Sequence, residues 1–162
     1  RLAIIAGPAA TTTGRERVEI FREALGAYGL DLPDAYTGQG DFQAESGRRV
    51  TEGFLALAEP PEVVFAADNL MALGALDAAR ARGLRVPDDL GLAAFDDIPW
   101  FVHTDPPITA IAQPTGELGR AAVRALVDRI EGRPGESVTL PARLVVRRSC
   151  GENPTPVQRS TS

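Results

Sequence analysis

The sequence has few of the residues from which metal centres, disulfides and hydrolytic sites are built. It contains one cysteine, Cys150, and one histidine, His103, in 162 residues. A single cysteine excludes an internal disulfide and a thiolate metal cluster, and it is typical of a reducing cytoplasm. No serine lies in a G-x-S-x-G elbow, and no glycine-rich segment has the spacing of a phosphate-binding loop. We therefore predict that the chain is not an enzyme and binds no metal or cofactor.

Long apolar runs and clusters of basic residues are also absent from the sequence. No apolar run approaches the roughly 20 residues that span a bilayer, and no signal-peptide pattern opens the chain, so we expect a cytoplasmic protein with no membrane partner. Seventeen basic and 22 acidic residues give a net charge of -5, and this acidity argues against direct contact with DNA phosphates. The chain begins almost directly with a buried strand pattern, and we therefore expect an N-terminally truncated fragment.

Apolar runs alternate with segments of helical period along the chain. With 44% hydrophobic residues, the chain can bury the core of one domain. Strands are predicted at 2–6, 35–37, 63–66, 90–95 and 108–112, followed by two short strands at 137–140 and 143–146. Strands that alternate with helices are typical of crossover units and a parallel sheet. The predicted fold class is α/β, a three-layer sandwich with a mostly parallel sheet.

The helical segments carry recognisable start signals. A capping box of Thr13 and Glu16 predicts the start of the first helix, and Gly29 its end. A second helix is predicted from near Asp41, a third from an Asp68 N-cap, and a fourth over 117–130. The positions expected to be buried are Val18, Phe21, Leu25 and Tyr28 in the first helix and Val123, Leu126, Val127 and Ile130 in the fourth.

Charged side chains follow several predicted strands where the strands end. In parallel sheets, ligand sites are built at the carboxyl ends of the strands. Asp96 and Asp97 follow one strand, and their carboxylates can accept hydrogen bonds from neighbouring hydroxyls, although Asp97 can equally cap the turn at Pro99. Asp68 follows another strand and has a second possible role as a helix N-cap. Arg17 lies near a helix N-terminus, where a cation is unfavourable unless a ligand, solvent or a nearby acidic residue compensates it.

Several segments occur in an order and spacing that resemble one protein family. They are LAIIAGP at 2–8, FAADNLMALGAL at 65–76, GLRVPDDLGLAAFDDIP at 83–99, PPITAIAQ at 106–113 and LVVRRS at 144–149. Together they resemble the effector-binding region of bacterial transcription regulators of the lactose-repressor and galactose-repressor (LacI/GalR) family. The resemblance extends over residues 2–149, nearly the whole chain.

The resemblance implies a periplasmic-binding-protein-like type I fold. Residues 1–149 would form the effector-binding domain, mainly its C-terminal lobe, with 113–135 crossing toward a missing N-terminal lobe. The polar, proline-containing composition of 150–162 predicts a disordered tail. The implied function is ligand sensing and dimerisation in a repressor. A small sugar would control operator binding allosterically, and operator DNA would be contacted only by a missing N-terminal headpiece.

The resemblance also implies which residues bind. The implied effector-binding residues are Arg17, Phe42, Asp68, Asp96 and Gln113, although Phe42 can equally be an ordinary core residue. The expected homodimer surface comprises Leu70, Met71, Leu73, Trp100 and Phe101. The alternative function is a periplasmic sugar-binding protein of a transporter, which shares the fold and the cleft. A flavodoxin-like receiver is disfavoured because Gly7-Pro8 stands where its phosphorylatable aspartate would be.

Overall fold

The computed structural model describes residues 1–151, in which a six-stranded sheet lies at the centre. The strands are β1 (Leu2–Ala6), β2 (Thr37–Gln39), β3 (Val63–Ala66), β4 (Gly91–Phe95), β5 (Thr109–Ala112) and β6 (Arg143–Val145), in the order β2-β1-β3-β4-β5-β6. The first five are parallel to their neighbours, and β6 runs antiparallel to β5. The helices are α1 (Thr12–Gly26), α2 (Ala44–Phe54), α3 (Asn69–Ala81) and α4 (Thr115–Ile130). The predicted α/β fold with a mostly parallel sheet is confirmed.

The sheet is buried on both faces near its centre. In β1, Ala3 and Ile5 belong to the apolar cluster shared with α2 and α3, while Ile4 faces the opposite cluster with Leu25 of α1. Successive side chains of a strand point to opposite faces, so a continuous apolar run supplies both clusters. This two-sided burial explains why the strand signals at 2–6 and 63–66 were accurate to the residue.

The backbones of α2 and α3 come into direct contact at two glycines. A Cβ atom added to Gly74 would lie 1.8 Å from the carbonyl oxygen of Ala44, and one added to Gly47 would lie 2.2 Å from that of Met71. Glycine lowers helix stability, but here it allows an approach that no larger residue permits. These two helices therefore form one rigid layer over the sheet.

The start of α1 corrects the prediction made for it. Thr11, not Thr13, is the N-cap: its Oγ1 accepts a hydrogen bond from the Gly14 amide at 3.0 Å and donates one to the Pro8 carbonyl at 2.8 Å. These two bonds start the helix earlier than the capping-box pattern indicated. The end of α1 also comes earlier, at Gly26, so Tyr28 lies beyond the helix and is 79% exposed. Its predicted burial is wrong.

Two other strand predictions need correction. The second strand forms at Thr37–Gln39 instead of 35–37, because a short 3-10 turn occupies Asp34–Tyr36. The strand predicted at 137–140 does not form, since β6 takes the free edge of β5 while Val138 and Leu140 lie beside α4. The predicted tail over 150–162 lies outside the described residues from 152 onward.

Helix α4 leaves its apolar side chains in solvent within the described part of the chain. Val123 is 63% exposed and Ile130 is 76% exposed, and Leu126 and Val127 are exposed as well. The prediction that these four residues are buried is therefore wrong for residues 1–151, because no described segment packs over this face. Among the same residues, no helix combines the length and apolar character needed to cross a membrane.

Candidate functional site

The carboxyl ends of five adjacent strands bring most of the predicted binding residues to one edge of the sheet. Phe42 follows β2, Asp68 follows β3, Asp96 follows β4 and Gln113 follows β5. Because these strands are parallel neighbours of β1 or of one another, their ends face the same side. Arg17 reaches this edge from α1, which follows β1.

Arg17 is held in place by two contacts that the sequence did not suggest. Its Nη1 donates a hydrogen bond to the carbonyl oxygen of Ala67, at the end of β3. Its guanidinium carbon lies 3.6 Å from the centroid of the Phe95 ring, the last residue of β4. A cation stacked on an aromatic face is attracted electrostatically, and the flat contact fixes the plane of the guanidinium. Arg17 is thus oriented before any ligand arrives.

Arg17 shares its surroundings with two carboxylates. Burial lowers the pKa of Arg17, and the charges of Asp96 and Asp68 act in the opposite direction. Burial also raises the pKa of Asp68, backbone hydrogen bonds from Met71 and Leu70 oppose this shift, and the charge of Asp96 adds to it. One cation therefore stands near two acidic groups, and the cluster as a whole carries negative charge when both carboxylates are ionised.

Asp96 has a backbone conformation that few residues adopt. Its φ is +68°, in the left-handed region that aspartate and asparagine tolerate better than most side chains. Its amide donates to the Ile111 carbonyl at 3.0 Å, and its Oδ1 accepts a hydrogen bond from Nε2 of Gln113. The structure thus brings two of the predicted binding residues into contact. Within the described residues, Oδ2 of Asp96 makes no hydrogen bond.

Asp68 caps α3, as predicted. Its Oδ1 accepts hydrogen bonds from the amides of Leu70 at 2.9 Å and Met71 at 3.2 Å. Among residues 1–151, only Oδ1 accepts a hydrogen bond, and Oδ2 has no partner in this part of the chain. Capping and ligand contact are therefore compatible in this residue.

The cap gives a testable stability effect. We expect Asp68→Ala to lower the free energy of unfolding by about 1 kcal/mol, because two helix amides lose their acceptor. Asp68→Asn is the matched control, since its amide oxygen can still cap the helix. Urea denaturation monitored by circular dichroism measures both variants. Equal losses in the two variants would contradict the assigned cap.

Phe42 lies at the same edge but serves the core as well. Its φ is +65°, and its ring covers Gly7, where an added Cβ would fall 2.2 Å from two ring carbons. The ring also packs against the apolar cluster of α2 and α3 and is half-buried. The ring of Phe42 is thus partly a core residue, and its position at the edge also leaves the predicted contact with an effector possible.

Asp97, next to Asp96, does not belong to the open edge. Its two oxygens accept hydrogen bonds from Nη1 and Nη2 of Arg147, each at 2.8 Å. The turn-capping interpretation is replaced by an ion pair, and Arg147 is a residue that sequence reasoning missed. The pair joins positions 50 residues apart, so no local pattern could reveal it.

The residues predicted at the dimer surface divide into two groups. Met71 and Phe101 are 0% exposed, because both lie in the apolar core of this chain. Direct contact of these two with a partner is therefore a wrong prediction. Leu70 and Trp100 are exposed and Leu73 is half-buried, so for these three the expectation stays a prediction.

Two cavities are lined by other residues than those gathered around Arg17. A cavity of about 310 Å³ lies between α1 and β2, bordered by Arg15, Glu19 and Gly38. A second, also about 310 Å³, lies between α4 and residues 136–140. Among residues 1–151, no three metal-ligating side chains gather at one point. Neither cavity brings together the polar groups found around Arg17.

Comparison with protein families identifies the family to which the chain belongs. Residues 1–150 match the family described as the periplasmic binding protein-like domain. The chain belongs to this family. The match covers all six strands and all four helices of the structure.

Several curated relatives of this periplasmic binding protein-like domain are transcriptional regulators. The HTH-type transcriptional regulator CelR of Thermobifida fusca is 42% identical over 92% of this chain and 44% of its own length. The HTH-type transcriptional repressor CytR of Escherichia coli K12 is 39% identical over 82% of this chain and 39% of its own. The repressor PurR of Klebsiella pneumoniae strain 342 is 37% identical over 94% and 46%. The chain thus spans less than half the length of these relatives.

Solved structures of LacI-type regulators share the fold. A transcriptional regulator CelR–cellobiose complex superposes with a TM-score of 0.86 at 41% identity, over 92% of this chain and 46% of that one. The lac repressor dimer bound to operator and the anti-inducer ONPF superposes with a TM-score of 0.85 at 30% identity, over 94% and 46%. The resemblance to LacI-type regulators inferred from sequence motifs is confirmed, and a transporter binding protein is not favoured.

Proposed function

We propose that this chain is the effector-binding region of a LacI-type transcriptional repressor that binds a small neutral sugar at the carboxyl edge of its sheet. The observation that carries the proposal is the preoriented Arg17, stacked on Phe95 beside two carboxylates, each with one oxygen free of hydrogen bonds among residues 1–151. The region acts as a cytoplasmic sensor without catalysis, cofactor or metal. Residues 1–149 form this sensor domain.

The chemistry of the edge suits a polyhydroxyl ligand. Oδ2 of Asp68 and of Asp96 accept hydrogen bonds from sugar hydroxyls, while the unused N–H groups of Arg17 donate to hydroxyl or ring oxygens. The ring of Phe42 offers an apolar surface to the C–H face of a sugar. Two carboxylates facing one cation disfavour an anionic ligand by like-charge repulsion. The cellobiose in the CelR complex supports a neutral sugar.

The sugar controls DNA binding by changing the relative orientation of two lobes. The edge is open in this chain, and residues 113–135 lead away from it through α4, whose apolar face is exposed. In the intact protein this segment crosses to a second lobe that closes over the sugar. Closure shifts the equilibrium between two arrangements of a homodimer and thereby changes the spacing of the headpieces on the operator. The dimer interface includes Leu70, Leu73 and Trp100.

Operator binding by the intact protein tests the proposal. A DNA fragment selected by the protein from a random pool is labelled, and its fluorescence anisotropy is measured while cellobiose is added, with sodium gluconate as an anionic control. We expect cellobiose or a related neutral sugar to change operator affinity by about 5- to 150-fold, and gluconate to leave it unchanged. A panel of neutral mono- and disaccharides without any effect on operator affinity would overturn the proposal.

A further inference from the structure

The ion pair between Asp97 and Arg147 is the most enclosed one in the described part of the chain. The side chains are only 17% and 14% exposed, and both guanidinium N–H groups facing Asp97 donate to its two oxygens at 2.8 Å. A bidentate pair of this kind fixes both the distance and the plane of the two groups. The turn that carries Asp97 is therefore held by Arg147, which follows β6.

Arg147 is itself anchored to β5 through its backbone and its side chain. Its Nη1 also donates to the Ile108 carbonyl at 2.6 Å. Its amide donates to Oγ1 of Thr109 at 2.9 Å, and that hydroxyl donates to the carbonyl of Arg147 at 3.0 Å. With its position set by these bonds, Arg147 presents a fixed guanidinium to Asp97.

The two adjacent aspartates hold the two ends of one excursion of the chain. After β5 the chain leaves the sheet at Gln113, and the Gln113 side chain bonds Asp96. It passes through α4, rejoins the sheet as β6 beside β5, and then reaches Arg147, which bonds Asp97. Both ends of this excursion are thus bonded to the turn that carries Asp96 and Asp97.

We propose that Arg147 is a positioning residue of the sugar site: through Asp97 it holds the 96–97 turn so that Asp96 keeps its left-handed backbone and presents Oδ2 to the ligand. The inference rests on the proposed function for its ligand. The clamp, by which we mean the Arg147–Asp97 ion pair that holds the 96–97 turn, is a property of the fold. Loss of the ion pair frees the turn, and the ligand then has to order Asp96 when it binds, which weakens affinity.

The exchange of single amide hydrogens in the intact protein tests the clamp without any ligand. In Asp97→Asn, we expect the Asp96 amide, bonded to Ile111 at 3.0 Å, to exchange about tenfold faster, because only one of two charge-assisted bonds survives. The Leu92 amide, bonded to Ser149 at 2.8 Å, reports on the rest of β4 and is expected to keep its rate. Equal acceleration of both amides, or of neither, would overturn the proposal.

Binding of cellobiose, measured by calorimetry, tests the consequence for the site. We expect Asp97→Asn to weaken binding about tenfold and Arg147→Lys to weaken it by less, because a lysine keeps the charge but makes one contact where arginine makes two. If Asp97→Asn does not fold, the cellobiose affinity of Arg147→Lys tests the proposal in its place.

The pair between Arg85 and Asp89 provides a matched control. It is also bidentate, with Nε to Oδ2 and Nη2 to Oδ1 both at 2.9 Å, but it is exposed and precedes β4 at the opposite end of that strand. We expect Asp89→Asn to leave both the Asp96 exchange rate and cellobiose affinity unchanged. Wild-type cellobiose affinity in Asp97→Asn would overturn the positioning role. If the wild-type protein binds no sugar, the proposed function fails, while the exchange rates still decide whether the clamp exists.

Discussion

Replacement of Arg17 by alanine is expected to abolish the response to sugar while operator binding survives. The substitution removes a preoriented cation with several free N–H groups, and charge-assisted hydrogen bonds contribute about 1.5–3 kcal/mol each. Loss of one such bond weakens sugar binding by roughly 10- to 150-fold, and loss of two weakens it by roughly 100-fold or more. Calorimetry of sugar binding, together with operator anisotropy in the presence and absence of sugar, measures the two effects separately.

Two further variants show whether the orientation of Arg17 matters. Arg15→Ala removes an exposed arginine two residues earlier, whose Nη1 bonds the Ala9 carbonyl at 3.0 Å, and we expect it to behave as wild type. Arg17→Lys keeps the charge but loses the flat contact with Phe95, so we expect weak residual binding. A normal sugar response in Arg17→Ala would remove Arg17 from the site.

Replacement of Gly74 by alanine is expected to destabilise the fold more than any other single methyl group added to these helices. The new Cβ would lie 1.8 Å from the carbonyl oxygen of Ala44 and 2.7 Å from the amide nitrogen of Arg48, so α2 and α3 must separate. Overpacking of a rigid interface costs about 3 kcal/mol or more when backbone has to move. For a chain of this size that loss lowers the melting temperature by roughly 6–12 °C.

Gly53 provides the control for Gly74. It lies in α2, and nothing stands within 4 Å of the Cβ that alanine would add. We expect Gly53→Ala to leave the free energy of unfolding unchanged or to raise it by up to about 1 kcal/mol, because alanine is the better helix former. Differential scanning calorimetry of both variants measures the contrast. A Gly74→Ala protein as stable as Gly53→Ala would show that the helices do not approach as closely as described.

Much of the fold could be predicted because buried strands and helices have recognisable patterns of apolar residues in the sequence. Strands covered on both faces, such as Leu2–Ala6 and Val63–Ala66, are continuous apolar runs, and their bounds were predicted to the residue. The short edge strand at Thr37–Gln39 has a glycine at its centre and a 3-10 turn before it. Its pattern is weak, and its position was predicted two residues too early. Periodicity alone could not show that the apolar face of α4 is uncovered among residues 1–151, whereas the family resemblance, which assigns this helix to the missing lobe, does predict it.

The polar end of the sheet was predictable only in part. Charged residues directly after strands, such as Asp68 and Asp96, can be identified because parallel strands bring their ends together. The contacts that orient Arg17 and Asp97 could not be predicted. Phe95, which lies under Arg17, and Arg147, which bonds Asp97, come from segments far away in sequence. Contacts of this kind depend on tertiary structure and leave no local pattern. The same holds for Met71 and Phe101, whose apolar side chains fit a dimer surface and a core equally well in sequence.

A crystal structure of the intact protein with cellobiose, or with the sugar that proves active in the operator assay, is the most direct measurement. We expect the sugar at the carboxyl edge of the sheet, with hydroxyl oxygens within about 3.2 Å of the guanidinium of Arg17 and of Oδ2 of Asp96. Sugar density in the cavity between α1 and β2, with Arg17 still bonded only to Ala67 and stacked on Phe95, would contradict the proposed site.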